Sequence, residues 1–153
     1  MSLFTPDSVL ADESLINEYK WNRNSLIAFG EFMKSEAIKA AKPIVIAIFY
    51  EDQRIYQIGL EGTSQENDDW VSRKVNSVLA TGHASLYIRA QIEGEIANKL
   101  SIKNHLGDLA FCGGGIPILN QGKVVGVLVV SGLPHYEDHK FILDSFRAWS
   151  HKQ

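Results

Sequence analysis

Two segments of this chain are apolar in both sets of alternating residues, and they constrain the fold more than any other feature. They are PIVIAIFY, residues 43–50, and KVVGVLVV, residues 123–130. Successive side chains of a strand point to opposite faces of its sheet, so a strand that is apolar in both sets is covered on both faces. The sequence therefore predicts a sheet with other elements packed on each side.

Each of these segments adjoins a second strand-like run across a turn signal. EDQR, residues 51–54, separates the first from IYQIGL, and Asn120-Gln121-Gly122 separates GIPIL from the second. Short polar and glycine-containing connections between apolar runs are typical of β-hairpins. We expect two hairpins.

Helical periodicity precedes, separates and follows the hairpins. Thr5-Pro6 suits a helix start, and a second helix from Asn24 has the stripe Leu26, Gly30, Met33, Ala37 and Ala41. Further helices are predicted at 63–82 and from about Glu137 to Trp149. The order α–β–β–α–β–β–α predicts an α/β (α+β) three-layer fold, an antiparallel sheet flanked by helices on both faces. We expect one domain over residues 1–153, with 1–21 as its N-terminal extension.

Charge and hydropathy indicate which partners to expect. The formal net charge is −3, which gives no global attraction for nucleic acid or an anionic membrane. The sequence contains neither a run of about 18 apolar residues nor a charged-then-apolar signal segment. We expect a cytoplasmic protein that binds no nucleic acid and no membrane. Its single cysteine, Cys112, cannot form an internal disulfide.

The segment GTSQENDDWVSRKV, residues 62–75, combines a polar cap with an amphipathic helix. Thr63 and Glu66 have the spacing of a capping box. Val71, Val75 and Val78 form the predicted core stripe.

A second face of this helix carries Asn67, Trp70 and Lys74, with Arg73 further round and nearer to solvent. One interpretation is an ordinary helix whose tryptophan shields the edge of the core. The other is a face for a flat anionic ligand or a partner subunit, because an aromatic plane beside cations can stack on a ring and bind its carboxylate.

Three glycines stand directly before a strand in CGGGIP, residues 112–117. Glycines allow positive φ and let backbone amides approach a ligand. The run is neither a P-loop nor a dinucleotide fingerprint, and a flexible loop or bulge is the alternative. Cys112 is a small apolar residue, a reactive thiol or a soft metal ligand.

SGLPHYEDHK, residues 131–140, ends the last strand and begins the last helix. His135 and His139 are four residues apart and could hold a divalent metal if the helix includes both. The alternative for His139 is a hydrogen bond near the helix start, at a subunit contact. His83 follows Gly82 at a helix end, where an imidazolium is stabilised by the helix dipole. No serine lies in a nucleophile-elbow motif, and no catalytic group is identified.

Three segments together resemble a known family. LEGTSQENDDWVSRKVNSVLATGHASL (60–86), GGGIPI (113–118) and VVGVLVVSGLPHYEDH (124–139) are similar to the uncharacterised protein family 0303 of the haem-degrading-domain superfamily, which has GlcG-like and haem-binding relatives. The resemblance implies a profilin-like fold, a homo-oligomer, and helix 63–82 as one wall of a pocket or subunit interface. The ligand-binding residues it implies, called the motif residues below, are Asn67, Trp70, Arg73, Lys74, His83, Gly113, Gly114, Pro117, Glu137, Asp138 and His139.

The chain departs from the family pattern at Cys112, where members often carry histidine. If that histidine were a haem ligand, cysteine would change or abolish the ligation. Three hypotheses follow. The first is an oligomeric binding protein for haem, another tetrapyrrole or a small anion. The second is a haem-degrading or redox enzyme that uses His83 or His139, and the third is an assembly protein whose motif residues form the subunit interface.

Overall fold

The computed structural model describes residues 4–94 and 108–153 and shows two antiparallel hairpins joined in one sheet. The strands lie in the order β2-β1-β4-β3. In chain order the elements are α1 (Pro6–Asn17), α2 (Arg23–Lys39), β1 (Val45–Tyr50), β2 (Gln53–Gly59), α3 (Gln65–Thr81), α4 (Ser85–Gly94), β3 (Gly115–Asn120), β4 (Lys123–Ser131) and α5 (His135–Ser150). Helices cover both faces, which confirms the predicted fold class.

The strands that are apolar in both alternating sets, β1 and β4, are the two central strands. On one face, Ile46 of β1 pairs with Val130 of β4 in a core that includes residues of α2 and α5. On the other face, Ala47 pairs with Val129 beneath the valines of α3. Each apolar set is therefore buried by a different helical layer, which is the main stabilisation of the sheet.

Both hairpins turn through two residues with positive φ. Glu51 and Asp52 have φ values of 51° and 63°, and Gln121 and Gly122 have values of 52° and 78°. Two consecutive left-handed residues are typical of the tight turns whose twist matches that of antiparallel strands. The two predicted hairpins are confirmed.

The buried faces of the helices match the predicted apolar stripes more closely than the observed helix ends match the predicted ends. In α2 the predicted stripe is buried up to Ala37, whereas Ala41 lies beyond the helix end with φ 52°. Helix α5 begins at His135, two residues before the predicted start at Glu137, because Pro134 serves as its N-cap. Helix α4 was not predicted.

Helix α1 is bound to the edge strand β3 by a side-chain amide. Asn17 donates through Nδ2 to the Pro117 carbonyl at 3.0 Å, and its Oδ1 accepts from the Leu119 N–H at 2.8 Å. These bonds satisfy backbone groups that an edge strand otherwise leaves unpaired. The segment predicted as an N-terminal extension thus packs on the sheet.

Within residues 4–94 and 108–153, no helix is long and apolar enough to cross a membrane.

Candidate functional site

The cap of α3 lies one residue later than the sequence indicated. Ser64 is the N-cap, and its N–H donates to Asn67 Oδ1 at 2.9 Å. Thr63 is not the cap because its hydroxyl donates to the Leu60 carbonyl at 2.7 Å and closes the preceding turn. The predicted pairing of Thr63 with Glu66 is therefore wrong. The cap also fixes the side chain of Asn67, a motif residue.

Trp70 and Arg73 stack on each other along α3. The guanidinium carbon of Arg73 lies 4.4 Å from the centre of the Trp70 ring, within cation–π range. Val71, Val75 and Val78 are buried against the sheet as predicted, and Trp70 lies on the adjacent flank, beside the end of β4.

The side chain of Lys74, the third polar residue of this flank, is almost completely buried. Its side chain is 3% exposed and that of Asp138 is 2% exposed. Lys74 Nζ donates to Asp138 Oδ2 at 3.0 Å and to the Val130 carbonyl at 3.0 Å. The ion pair joins α3 to α5 across the end of β4. A buried pair of this kind is tolerated because each charge has a hydrogen-bonded partner.

Gly114 makes room for this ion pair. Its φ is +128°, and a Cβ there would lie 2.3 Å from the Val130 carbonyl oxygen and 2.8 Å from Lys74 Nζ. Gly113 has a similar role against α5, since its Cβ would lie 2.2 Å from the His135 carbonyl oxygen. Two glycines of the CGGGIP segment are therefore required by close packing and are not simply flexible.

The carboxylate of Asp138 is held by several donors. Its Oδ1 accepts from the Leu133 N–H at 2.9 Å, and its Oδ2 accepts from Lys74. Burial raises the pKa of Asp138 above its ordinary value, while the charge of Lys74 and the amides of Leu133 and Gly132 oppose that rise. The two side chains cancel in charge while both are ionised.

These elements enclose a pocket of about 270 Å³ between α3, the glycine turn, the end of β4 and the start of α5. We call it the α3–α5 pocket. It is lined by Asn67, Trp70, Lys74, Cys112, Ser131, Gly132, Leu133, His135 and Asp138. Two of the three sequence segments that carry the family resemblance, 60–86 and 124–139, thus line one cavity, and Cys112 directly precedes the third.

Two lining residues, Cys112 and His135, lie outside the motif set and are held by polar contacts. Arg89 donates through Nη2 to Cys112 Sγ at 3.4 Å and through Nε to the Phe111 carbonyl at 2.8 Å. The Gly113 N–H donates to His135 Nδ1 at 3.1 Å. In the neutral ring the proton therefore belongs on Nε2. No sequence pattern indicated these contacts of Arg89, which lies on the unpredicted helix α4.

Three motif residues lie away from the pocket, and each contacts helix α1. His83 Nδ1 is 3.2 Å from Glu13 Oε1, and the Pro117 carbonyl accepts from Asn17. His139 is fully buried, with Nε2 at 2.9 Å from Asp12 Oδ2, so it does not lie at a surface where a subunit contact could form. We assign these three motif residues to the docking of α1.

Glu137 is exposed and lines a different depression, of about 530 Å³, which we call the aromatic groove. The groove is lined by Phe4, Lys42, Leu133, Tyr136, Glu137, Lys140, Phe141 and Asp144. Among the described residues, no group of three or more His, Cys, Asp or Glu side chains is placed to hold a metal ion. His135 and His139 point to different partners, Gly113 and Asp12, so they do not face one site.

Comparison with known proteins places the chain in a family. The model of the family described as haem degrading protein HbpS-like matches residues 23–146. The chain belongs to this HbpS-like family. Curated relatives include a UPF0303 protein of Psychromonas ingrahamii, 28% identical over 145 residues that cover 93% of this chain and 91% of the relative. A UPF0303 protein of Mesorhizobium japonicum is 32% identical over 119 residues, covering 76% and 71%. The predicted family is confirmed.

Solved structures with the same fold include three that are informative. The Ybr137w protein superposes with a TM-score of 0.85 at 20% identity, covering 99% of this chain and 90% of that one. PduOC, solved as a complex with haem, gives 0.67 at 16% identity, covering 85% and 95%. A double mutant of Streptomyces reticuli HbpS gives 0.65 at 14% identity, covering 85% and 87%. At 14–20% identity, these three superpositions establish that the chain shares their fold.

Proposed function

We propose that this HbpS-like protein is a binding protein whose α3–α5 pocket takes a small planar carboxylate. The observation that carries the proposal is a concave site that presents an indole plane, Trp70, and a buried ammonium group, Lys74, on one helix face. A ring can stack on the indole while its carboxylate accepts from the amine.

The charges around the pocket support an anionic ligand. Lys74 and Asp138 cancel each other inside it. Arg73 stacks on the pocket residue Trp70, and Arg89 contacts the pocket residue Cys112, so two further positive charges lie at its margin. In a partly desolvated cavity such charges act over several ångströms.

The size of the pocket supports a small ligand. Drug-sized molecules occupy cavities of about 300–1,000 Å³. At about 270 Å³, the α3–α5 pocket lies just below that range. A ring bearing one carboxylate suits this volume, whereas only an edge of the larger haem group would enter.

Isothermal titration with benzoate tests the proposal. We expect saturable binding to the unmodified protein and a loss of affinity of about tenfold or more in Trp70→Leu, because the stacking surface is removed. Arg54→Ala is the matched control, since Arg54 lies 5.1 Å over the ring of Phe49 and neither residue lines the pocket. Equal weakening in both variants, or no binding of benzoate to the unmodified protein, would contradict the proposal.

Haem is the second candidate ligand, favoured by the description of the family and by the haem complex of PduOC. The residues fit it only in part. Cys112 and His135 are of iron-ligating types, but the pocket that they line does not enclose a tetrapyrrole. We therefore expect haemin titration to give the broad absorption of loosely adsorbed haemin. A saturable Soret band with defined stoichiometry that is lost in Cys112→Ala or His135→Ala would make haem the ligand instead.

A further inference from the structure

We propose that the α3–α5 pocket takes up a proton together with its anionic ligand, and that Asp138 is the group that accepts the proton. This inference rests on the proposed function, because it concerns the same pocket and the same class of ligand.

The geometry makes the ligand and Asp138 neighbours. Lys74 Nζ lies 3.0 Å from Asp138 Oδ2, and both residues line the pocket. An ammonium group has three N–H donors, and two of those of Lys74 are engaged by Asp138 and the Val130 carbonyl. A carboxylate that binds the third donor therefore lies close to the carboxylate of Asp138.

Two carboxylates around one ammonium group carry one excess negative charge in a poorly solvated site. At a separation of about 5 Å and an effective dielectric constant of about 20, the charge of the ligand carboxylate increases the proton affinity of the Asp138 carboxylate by roughly a hundredfold or more. Burial already raises the pKa of Asp138, and the charge of a bound carboxylate would raise it further. Protonated Asp138 would still accept from the Leu133 N–H through Oδ1.

Each of the other charged or titratable groups near the pocket is constrained in taking up a proton. His135, on α5, accepts the Gly113 N–H at Nδ1, so protonation there would break a hydrogen bond. Cys112, in the glycine turn, can only lose a proton. Arg89 of α4 and Arg73 of α3 are already protonated.

The functional consequence is a pH-dependent affinity. If Asp138 gains a proton when the ligand binds, the affinity for the anion increases as the pH falls, by up to about tenfold per pH unit. The affinity falls as the pH rises between the pKa of Asp138 in the free protein and its higher pKa in the complex, and it levels off above that range.

Calorimetric titration of benzoate into the unmodified protein at pH 7 tests the inference, in HEPES, imidazole and Tris, whose ionisation enthalpies differ. The slope of the observed heat against buffer ionisation enthalpy gives the number of protons exchanged. We expect uptake that approaches one proton per benzoate. Binding without proton uptake would overturn the inference and leave the proposed function intact. Absence of binding would overturn both.

Asp138→Asn identifies the acceptor. Asparagine keeps an oxygen for the Leu133 N–H but cannot take up the proton, so we expect benzoate binding with the uptake abolished. Uptake that persists in a folded Asp138→Asn protein would show that another group accepts the proton. The buffer series on the unmodified protein decides whether uptake occurs even if this variant does not fold.

Discussion

At the scale of single residues, Lys74 shows how position in the fold changes the role of a side chain. On a helical wheel it is one of two adjacent cations, yet the structure buries it against Asp138 while Arg73 stacks on Trp70. Burial follows from the valine stripe, which turns the Lys74 side toward the end of β4. A lysine can be placed there because a carboxylate and a carbonyl meet its ammonium group.

The ion pair predicts an asymmetric response to substitution. Lys74→Met leaves a buried carboxylate unpaired, and we expect a loss of about 3–5 kcal/mol in the free energy of unfolding. Lys74→Met/Asp138→Asn removes both charges and should lose less. Urea denaturation of the two variants provides the comparison, and a double variant as unstable as the single one would contradict the role of the pair.

The loss in Lys74→Met should depend on pH. Without Lys74 the pKa of Asp138 lies further above its unfolded value, so the folded state binds more protons than the unfolded chain between those two values. Stability then falls as the pH rises through that window. We expect a smaller penalty at pH 5 than at pH 8, measured by urea denaturation at both values. A penalty independent of pH would contradict a buried, ionising Asp138.

Two glycines with positive φ provide a matched test of close packing. Gly114→Ala places a Cβ 2.3 Å from the Val130 carbonyl oxygen, whereas a Cβ at Gly122 meets nothing within 4 Å. We expect about 1–2 kcal/mol of destabilisation in Gly122→Ala from backbone strain alone. Gly114→Ala should lose about 2–5 kcal/mol, because steric displacement adds to that strain. Thermal denaturation compares them, and equal losses would show that Gly114 is not constrained by packing.

At the scale of elements, much of the fold follows from the sequence because β1 and β4 have an unambiguous apolar pattern. The two strands that are apolar in both alternating sets are the central pair, and the turns beside them contain Asp52 and Gly122, residue types that tolerate positive φ. Helix α4, Ser85–Gly94, is only ten residues long and was missed. The cap of α3 was misplaced because Thr63 and Ser64 are both good caps, and a tertiary turn decided between them.

Helix α1 is predicted to depend on Asn17 for its contact with β3. Asn17→Ala removes the bonds to the Pro117 carbonyl and the Leu119 N–H, and we expect a loss of about 1–3 kcal/mol. Hydrogen exchange should accelerate in α1 and β3 and remain unchanged in β2. The exposed Asn24 of α2, changed to alanine, is the control. Uniform acceleration across the sheet would contradict local docking.

At the scale of the whole molecule, the family resemblance predicted a single set of site residues, which the structure divides between separate places. Asn67, Trp70, Lys74 and Asp138 line the pocket. His83, Pro117 and His139 instead contact Glu13, Asn17 and Asp12 of α1. One ordered motif therefore combines a pocket with the docking of the first helix, and only the three-dimensional arrangement distinguishes the two.

The homo-oligomer stays a prediction. It can be tested by measuring the mass of the protein in solution and the effect on that mass of a substitution on the Trp70 flank of α3. We expect a homo-oligomer, so light scattering after size exclusion should give a multiple of the 17.1 kDa chain mass. Arg73→Ala should keep that mass if the Trp70 flank belongs to the pocket. Dissociation of Arg73→Ala would instead assign this flank to a subunit interface, and the chain mass for the unmodified protein would exclude a stable oligomer.

The most direct test of the pocket as a carboxylate site is a benzoate titration of ¹⁵N-labelled protein followed by heteronuclear NMR. We expect saturable shifts at the Trp70 indole N–H and at the amides of Gly132 and Leu133, which line the pocket. The amides of Phe4 and Phe141 in the aromatic groove should not shift. Shifts confined to the groove, or shifts that do not saturate anywhere, would contradict the account.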